Sequence, residues 1–451
     1  VTILGVAFLI AAAATLLLRR SAYPWLLAIA AAFPSSAAIL LNDNAISPFY
    51  LLAIPTLFWF LFFGSRVVGP GVGAIKLFVV WAVFVTALSP IIFAGIRVLS
   101  PRNGIDTGVL DPAILAPGIS NAAQASYLLI AVGFVFFLVK NPATIHLPAV
   151  TFGVGTVLSS ANLLVVRTGG RWPSEVFDTG TSIYTNGDVG GISRLRGVFA
   201  EPSLLAEFSI AAAVYFFFMF FSARGKRRVA YLILAALAGV NLSASMTGTG
   251  TVAAVIVSVA VLVYGVSRFL TRGQGAMFAT LVILVGAVAV LLWGGAAANS
   301  IIGIVGEKIG SHSQITRSSA DLFSIRVSSD TYWIGAGLGS NRPSSFAMML
   351  LSCVGVVGLA SFLWLAARII WHAGRFGSGR AIAWALFSVL VAKVIATPDL
   401  SSPILWTLIA ACASACWSIA PKAHQKNPVI PVQSSQMGDT GLDDKAVRAS
   451  A

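Results

Sequence analysis

Thirteen runs of mostly apolar residues punctuate the chain, centred near 1–18, 22–41, 46–63, 74–95, 119–139, 143–166, 202–221, 229–246, 250–267, 276–298, 344–370, 381–397 and 403–420. A helix rising 1.5 Å per residue needs about 20 such residues to cross a bilayer's hydrocarbon core. The pattern therefore predicts an all-α fold: a polytopic transmembrane helical bundle of about 12–14 spans within residues 1–420. The first run starts at Val1 without a charged leader or a small-residue cleavage site, so it reads as a span and not as a removed signal peptide. Three connections are long, near 96–118, 167–201 and 299–343, and loops of that length are usually functional or disordered. The first is rich in Pro and Gly and reads as irregular. The third mixes Ile301, Ile304, Ile309, Leu322, Phe323 and Ile325 with polar residues, which predicts a partly helical segment lying on the bundle. The stretch 421–451 is polar and proline-containing and reads as a disordered tail. No inverted repeat of the kind that marks many transporters is visible.

Composition narrows the class. Of 451 residues, 58% are hydrophobic and only 10% charged, with a mean hydropathy of +0.91. Soluble domains carry roughly 25% charged residues, so a water-facing shell cannot be built around this chain, which excludes a soluble enzyme, a disordered chain and a fibre. Cys353, Cys412 and Cys416 all lie in apolar runs, which argues against a disulfide framework or a zinc site. A net charge of +14 would suggest nucleic acid as a partner in a soluble protein. Here the charge is sorted by loop. One alternating set holds Arg19, Arg20, Arg66, Lys76, Lys140, Arg224, Lys226, Arg227, Arg228, Arg268, Arg272, Arg368, Arg375 and Arg380, and its acids lie only in the tail. The opposite set holds nearly all remaining acids. By the positive-inside rule the first set is cytoplasmic, which places the long loops outside and makes nucleic acid an unexpected partner.

Three polar constellations fall on the predicted outer side. Ser193-Arg194-Leu195-Arg196-Gly197-Val198-Phe199-Ala200-Glu201-Pro202-Ser203 closes the second long loop and opens the seventh run. Pro202 suits a first helical turn, and Glu201 before it would meet the positive end of the helix dipole. Arg194 and Arg196 carry planar forks that fit phosphate oxygens, or they snorkel to headgroups and pair locally. In the same loop Trp172, Phe177 and Tyr184 suit contact with a sugar or the membrane interface. Closing the third loop, Trp333-Ile334-Gly335-Ala336-Gly337-Leu338-Gly339-Ser340-Asn341-Arg342-Pro343-Ser344-Ser345 has alternate glycines that either leave backbone N–H groups open to an anion or form a hinge. Arg342 heads the following run, with Arg317 and Arg326 upstream. The third constellation, Leu242-Ser243-Ala244-Ser245-Met246-Thr247-Gly248-Thr249-Gly250-Thr251, offers hydroxyls to a sugar or phosphate, or is a tight turn of small residues for helix packing. Glu207 and Lys393 fall inside apolar runs; ionisable groups at such depth line a cavity or meet each other.

In order and loop placement these segments resemble the O-antigen polymerase and O-antigen ligase superfamily, bacterial membrane glycosyltransferases that use polyprenyl-diphosphate-linked sugars. Arg194–Ser203 looks like that family's Arg-x-x-Gly-x-Phe-x-x-Pro signature, and Gly335–Ser345 like its Gly-x-Gly-x-Gly-Ser signature. Ser243–Gly250 is similar to its Ser/Thr-rich turn, and the stretch from Phe33-Pro34-Ser35-Ser36 to Ile46-Ser47-Pro48-Phe49 is also similar to family members. The ligases carry an essential His just after the glycine run, where this chain has Asn341, Arg342 and Pro343, so the polymerase branch fits better.

The resemblance implies a metal-independent, cofactor-free glycosyltransferase in the bacterial cytoplasmic membrane, acting on the periplasmic or extracytoplasmic side. It would polymerise lipid-linked oligosaccharide repeat units into O-antigen, capsule or exopolysaccharide. Donor and acceptor would both be lipid-linked, with membrane lipids, a chain-length regulator and a flippase as further partners. Arg194 and Arg317 would clamp the leaving diphosphate, and Arg196, Arg342, Ser245, Thr247, Gly337, Gly339 and Ser340 would bind substrate. Glu201 would be the proton acceptor or an orienter of an arginine, with Asp321 or Asp330 as fallbacks. The rival readings are an O-antigen ligase and a secondary transporter or lipid-linked oligosaccharide flippase.

Overall fold

A computed structural model describes residues 1–41, 44–64, 66–99, 111–180, 188–189, 192–273, 312–375 and 377–419. The predicted run 276–298, Ile301, Ile304, Ile309, Tyr184 and the tail from Pro421 lie outside the described residues. The described chain is a helical bundle, with β structure only as four two-stranded ladders in its connections. Its main helices are α1 (Ile3–Leu18), α2 (Tyr23–Ala30), α3 (Pro48–Phe63), α4 (Val72–Ile92), α5 (Ile119–Val139), α6 (Leu147–Arg167), the single turn α7 (Ser174–Phe177), α8 (Pro202–Ser222), α9 (Lys226–Ser245) and α10 (Gly248–Arg272). They continue with α11 (His312–Asp330), α12 (Phe346–Ala373), α13 (Gly377–Ile395) and α14 (Pro403–Cys416). Eight of these (α4, α5, α6, α8, α9, α10, α12 and α13) are long and apolar enough to cross a membrane, and α1, α3 and α14 are shorter apolar helices.

Helix starts follow their sequence signals. Pro48, Pro202 and Pro403 occupy first turns, where the missing N–H breaks no hydrogen bond. Thr2 and Thr247 cap α1 and α10 by accepting from the amides of Gly5 and Gly250. The expectation of a full span over 22–41 is corrected. The helix there stops at Ala30, and the chain turns through Phe33-Pro34-Ser35-Ser36 into the hairpin Ile39–Leu41 with Asn44–Ile46. Pro34 disfavours helix at the residue before it. The serines spend their hydroxyls on other segments: Ser36 Oγ donates to Phe177 O at 2.7 Å, and Ser35 Oγ accepts from Ala200 N at 3.0 Å.

The two ends of the bundle differ. At the basic end Val67–Val68 pairs with Ser418–Ile419, and Trp417 Nε1 donates to Pro70 O at 2.8 Å. Cations there lie over rings, Lys140 over Trp59 at 4.2 Å and Arg228 over Phe220 at 4.4 Å, as suits a headgroup boundary. At the opposite, loop-rich end the connections fold back onto helix ends. Here α11 is the helical segment expected to lie on the bundle, but its polarity is reversed from that of a soluble surface helix. Thr316, Ala320, Ser324, Val327, Ser328 and Thr331 face inward and are buried, while Leu322 (67% exposed) and Ile325 face out. Small hydroxyl-bearing residues at three- and four-residue spacing allow close helix contact without a bulky core.

The span predicted over 344–370 forms, but broken. In α12 Gly355 takes φ 67° and ψ −171°, interrupting the hydrogen-bond ladder mid-helix. The freed carbonyls of Ser352, Cys353 and Val354 accept from Ala336 N, Gly337 N and Trp81 Nε1, each at 2.8 Å. The glycine loop is thereby inserted into the bundle and substitutes for the missing helical bonds.

Candidate functional site

The segment Arg194–Ser203 is seated by its own neighbours. Gly197 has φ 61°, and a Cβ there would fall 2.3 Å from Ser159 Oγ on α6, so the motif's glycine is needed for close approach as well as for its backbone angle. Phe199 is buried against Phe208, with ring centroids 5.0 Å apart. Pro202 then opens α8, and Glu201 at its N-cap position is exposed. The Glu201 side chain does not cap the helix; its Oε2 accepts from Ser203 Oγ at 2.9 Å.

Two of the three sequence constellations are joined at this point. Leu195 N donates to Ala244 O at 3.0 Å, and Arg194 Nε donates to Ser245 O at 3.4 Å. The Ser/Thr turn at the end of α9 thus forms one wall of the arginine motif. Ser245 Oγ is committed to Leu242 O at 2.6 Å and Thr247 Oγ1 accepts from Gly250 N at 3.2 Å. Both hydroxyls are buried and act locally in the turn, the helix-packing alternative of the two read from sequence.

Arg194 is half-buried, and its electrostatic neighbours are informative. Desolvation pushes its guanidinium below the ordinary arginine value, the charge of Glu201 pulls it back up, and the charge of Arg317 pushes it further down. Arg317 belongs to α11, more than a hundred residues away in sequence. The structure therefore places Glu201 and Arg317 each within electrostatic range of Arg194; these are the three residues expected to be catalytic. Asp321, one turn along α11 from Arg317, is occupied as a cap: its Oδ1 accepts from Ser344 N at 2.8 Å and Ser345 N at 3.1 Å at the start of α12. Burial raises the Asp321 carboxyl above its ordinary value, opposed by those two amides and by Arg317. Asp330 ends α11, exposed.

No protein-family model matches the chain, and no curated protein matches it.

Arg196 is not directed at the cluster. Its guanidinium makes a two-pronged pair with Asp178, one prong at 2.8 Å, and also donates to Phe199 O at 3.2 Å. Both side chains are nearly buried, 12% and 10% exposed, so the pair fixes the second long loop to the motif. Trp172 and Phe177, suited by sequence to a sugar platform, stack on each other at 5.0 Å, and Phe177 stacks on Phe33 at 6.0 Å.

The glycine loop differs most from one of its sequence readings. Its amides are not open to an anion: Gly335 N donates to Thr331 Oγ1, Ala336 N to Ser352 O, Gly337 N to Cys353 O, Leu338 N to Thr86 Oγ1 and Ser340 N to Gly337 O. The physical reason is the break at Gly355, whose orphaned carbonyls need donors inside an apolar bundle. Gly337 and Gly339 have φ 95° and 77°, and a Cβ on Gly339 would lie 2.6 Å from Ser120 O. Ser340 Oγ is buried and accepts from Asn121 Nδ2 at 2.7 Å. Arg342 donates its amide to Leu99 O at 2.8 Å and its side chain is exposed.

Asn341, where the resemblance leads one to look for a ligase His, is 3% exposed and holds three segments together. Its Oδ1 accepts from Leu99 N at 2.9 Å and its Nδ2 donates to Ser324 Oγ and Ser352 Oγ, both at 2.8 Å. Sequence marked this position only as a departure from the ligase pattern; the packing role comes from partners 11, 17 and 242 residues away.

Glu207 and Lys393 do meet. Oε1 of Glu207 lies 3.4 Å from Lys393 Nζ, and its Oε2 accepts from Thr397 Oγ1 at 2.6 Å. Lys393 Nζ also donates to Asp399 O at 3.0 Å. A small recess beside the pair is lined by Ser203, Glu207, Thr249 and Thr397, among others. Thr397 and Asp399 carried no sequence signal of their own; only the fold sets them against the pair.

Proposed function

We propose that the chain is a membrane glycosyltransferase of the O-antigen polymerase type, joining polyprenyl-diphosphate-linked oligosaccharide repeat units on the outer face of the bacterial cytoplasmic membrane. The observation that carries this reading is that the charges of Arg317, from a segment distant in sequence, and of Glu201 both act on the half-buried Arg194. Two like charges in electrostatic range with one of them half-buried are unfavourable by themselves. A diphosphate between them would reverse the sign of that interaction.

In the proposed reaction an acceptor sugar hydroxyl attacks the anomeric carbon of the donor glycan. The bond from that carbon to the diphosphate oxygen breaks, and its electron pair leaves with the polyprenyl diphosphate. Fixed guanidinium groups aimed at the developing negative charge stabilise the transition state without reorganising. The proton of the attacking hydroxyl passes to Glu201, which is exposed and already hydrogen-bonded through one oxygen to Ser203. Arg196 acts through Asp178 as a positioning residue for the motif. The buried Glu207–Lys393 pair sits near one end of α8, five residues in from Pro202, about 7.5 Å along a helix axis. That placement favours chemistry at one face over a transporter, whose binding groups lie near the midplane.

The test is genetic and chemical. Cells carrying Arg194→Ala or Arg317→Ala protein that inserts normally should lose long-chain surface polysaccharide and accumulate single lipid-linked repeat units. Polymer of ordinary length from either variant overturns the clamp. Translocation of a lipid-linked oligosaccharide without chain growth would instead support the transporter.

A further inference from the structure

Ser203 and Glu207 stand four residues apart on α8, one turn from each other on the same face. The first turn of α10 comes close to α8 because Gly250 has no side chain: a Cβ there would fall 2.6 Å from the Ala206 Cβ. The last turn of α13 and Thr397 close the remaining side. Between these elements is a recess lined by Ser203, Glu207, Thr249, Ala392, Ala396 and Thr397, among others, with room for about one water molecule. A structural water holds its place through about two to four polar partners. The lining offers three: the hydroxyls of Ser203 and Thr249 and the carboxyl of Glu207. The Thr397 hydroxyl is already spent, donating to Glu207 Oε2 at 2.6 Å.

These partners have a fixed sense. Ser203 Oγ donates its one proton to Glu201 Oε2 at 2.9 Å, so toward the recess it can only accept. Among the described residues the Thr249 hydroxyl has no hydrogen-bond partner in the protein, which leaves its proton to donate. Glu207 is anchored from its other side, with Oε1 3.4 Å from Lys393 Nζ and Oε2 held by Thr397. Its carboxyl keeps hydrogen-bonding capacity toward the recess whether ionised or protonated. A water there accepts from Thr249 and donates to Ser203. Its second proton meets an ionised Glu207, or its second lone pair meets a protonated one, so the network closes in either state.

We propose that one ordered water in this recess ties Glu207 and Thr249 to Ser203 and thereby holds the Ser203 O–H on Glu201. A hydroxyl rotates to suit its partners; one that accepts from a fixed water has the direction of its own proton set. Glu207 and Thr249 are in this way positioning residues for Glu201, acting through the water and Ser203 without touching substrate. The water site stands on the geometry alone. Its effect on turnover rests on the function proposed above, with Glu201 as proton acceptor.

Cryo-EM maps of the full chain in lipid nanodiscs, at a resolution that shows ordered water, test the first part. One water peak should lie within hydrogen-bonding distance of Ser203 Oγ, Thr249 Oγ1 and the Glu207 carboxyl. It should vanish in Thr249→Val, which keeps shape and removes the hydroxyl, and return in Thr249→Ser. No peak, or a peak that Thr249→Val leaves unchanged, overturns the water site and the positioning role with it. Turnover of the same variants is measured on lipid-linked repeat units extracted from cells in which the gene is deleted. In Thr249→Val kcat should fall about two- to tenfold with KM unchanged, and Thr249→Ser should restore it. An unchanged kcat, or a loss that Thr249→Ser does not rescue, overturns the positioning role and leaves the water. A native chain that holds the water but joins no repeat units overturns the proposed function and the positioning role together, with the water site still standing.

Discussion

Asn341→Ala is the sharpest probe of how the inserted glycine loop is held. The side chain is buried, and its loss leaves Leu99 N–H, in a fully buried residue, without an acceptor. An orphaned buried donor costs about 1–3 kcal/mol, and each of the two lost bonds to serine about 0.5–1.5 kcal/mol. Ser324 and Ser352 keep their own donor bonds to Ala320 O and Met348 O, both at 2.8 Å, so no further orphan is created on those hydroxyls. The sum is about 2–6 kcal/mol, and the lower figure alone raises the population of the open loop about 30-fold. Cys353 reports this directly, being fully buried with its Sγ 3.2 Å from Asn341 O. In a Cys412→Ala, Cys416→Ala background it is the remaining thiol. When reclosing is fast, its alkylation by N-ethylmaleimide tracks the open population. We expect alkylation at least about 30-fold faster in Asn341→Ala protein. A change below about threefold, under 1 kcal/mol, would refute the view that this amide pins the loop.

Gly355→Ala should be more severe, because a Cβ there lies 2.2 Å from Trp333 O at a backbone φ of 67°. Strain and clash together should exceed about 3 kcal/mol, seen as loss of monodisperse protein on size-exclusion chromatography; a wild-type profile would count against the helix break. Lys393→Met strands a buried carboxylate and should cost about 3–5 kcal/mol in thermal unfolding, with Glu207→Gln/Lys393→Met recovering most of it. Equal stability of the single and double variants would contradict the pairing. Burial holds the Asp321 carboxyl above its ordinary 3.8, so its contribution to stability is full below that value and declines as pH rises through the raised one. The stability of the native protein relative to Asp321→Asn should therefore fall across that acid window and level off above it. An increase with pH over the same range would reverse the assigned sign.

Much of the architecture was legible in the chain because burial in lipid leaves a linear record. Runs of apolar residues must be helical when no water can satisfy their backbone, and the helices over 72–92, 119–139, 202–222 and 346–373 lie where the runs predicted. The 22–41 run misled because hydropathy does not register that Pro34 and two serines end a helix in favour of distant partners. The arginine motif, the carboxylate beside it and the glycine run could likewise be picked out from spacing.

What sequence could not assign was the division of labour among those residues. Composition, periodicity and charge sorting fixed a helical membrane protein with chemistry-bearing residues concentrated in its acid-bearing loops, since each depends on local patterns. Only tertiary packing separated Arg194 beside Arg317 from Arg196 locked on Asp178, and turned the glycine loop's amides inward to a broken helix. These distinctions are set by partners tens to hundreds of residues away. Whether a polar group is free to act depends on which others the fold brings within hydrogen-bonding distance.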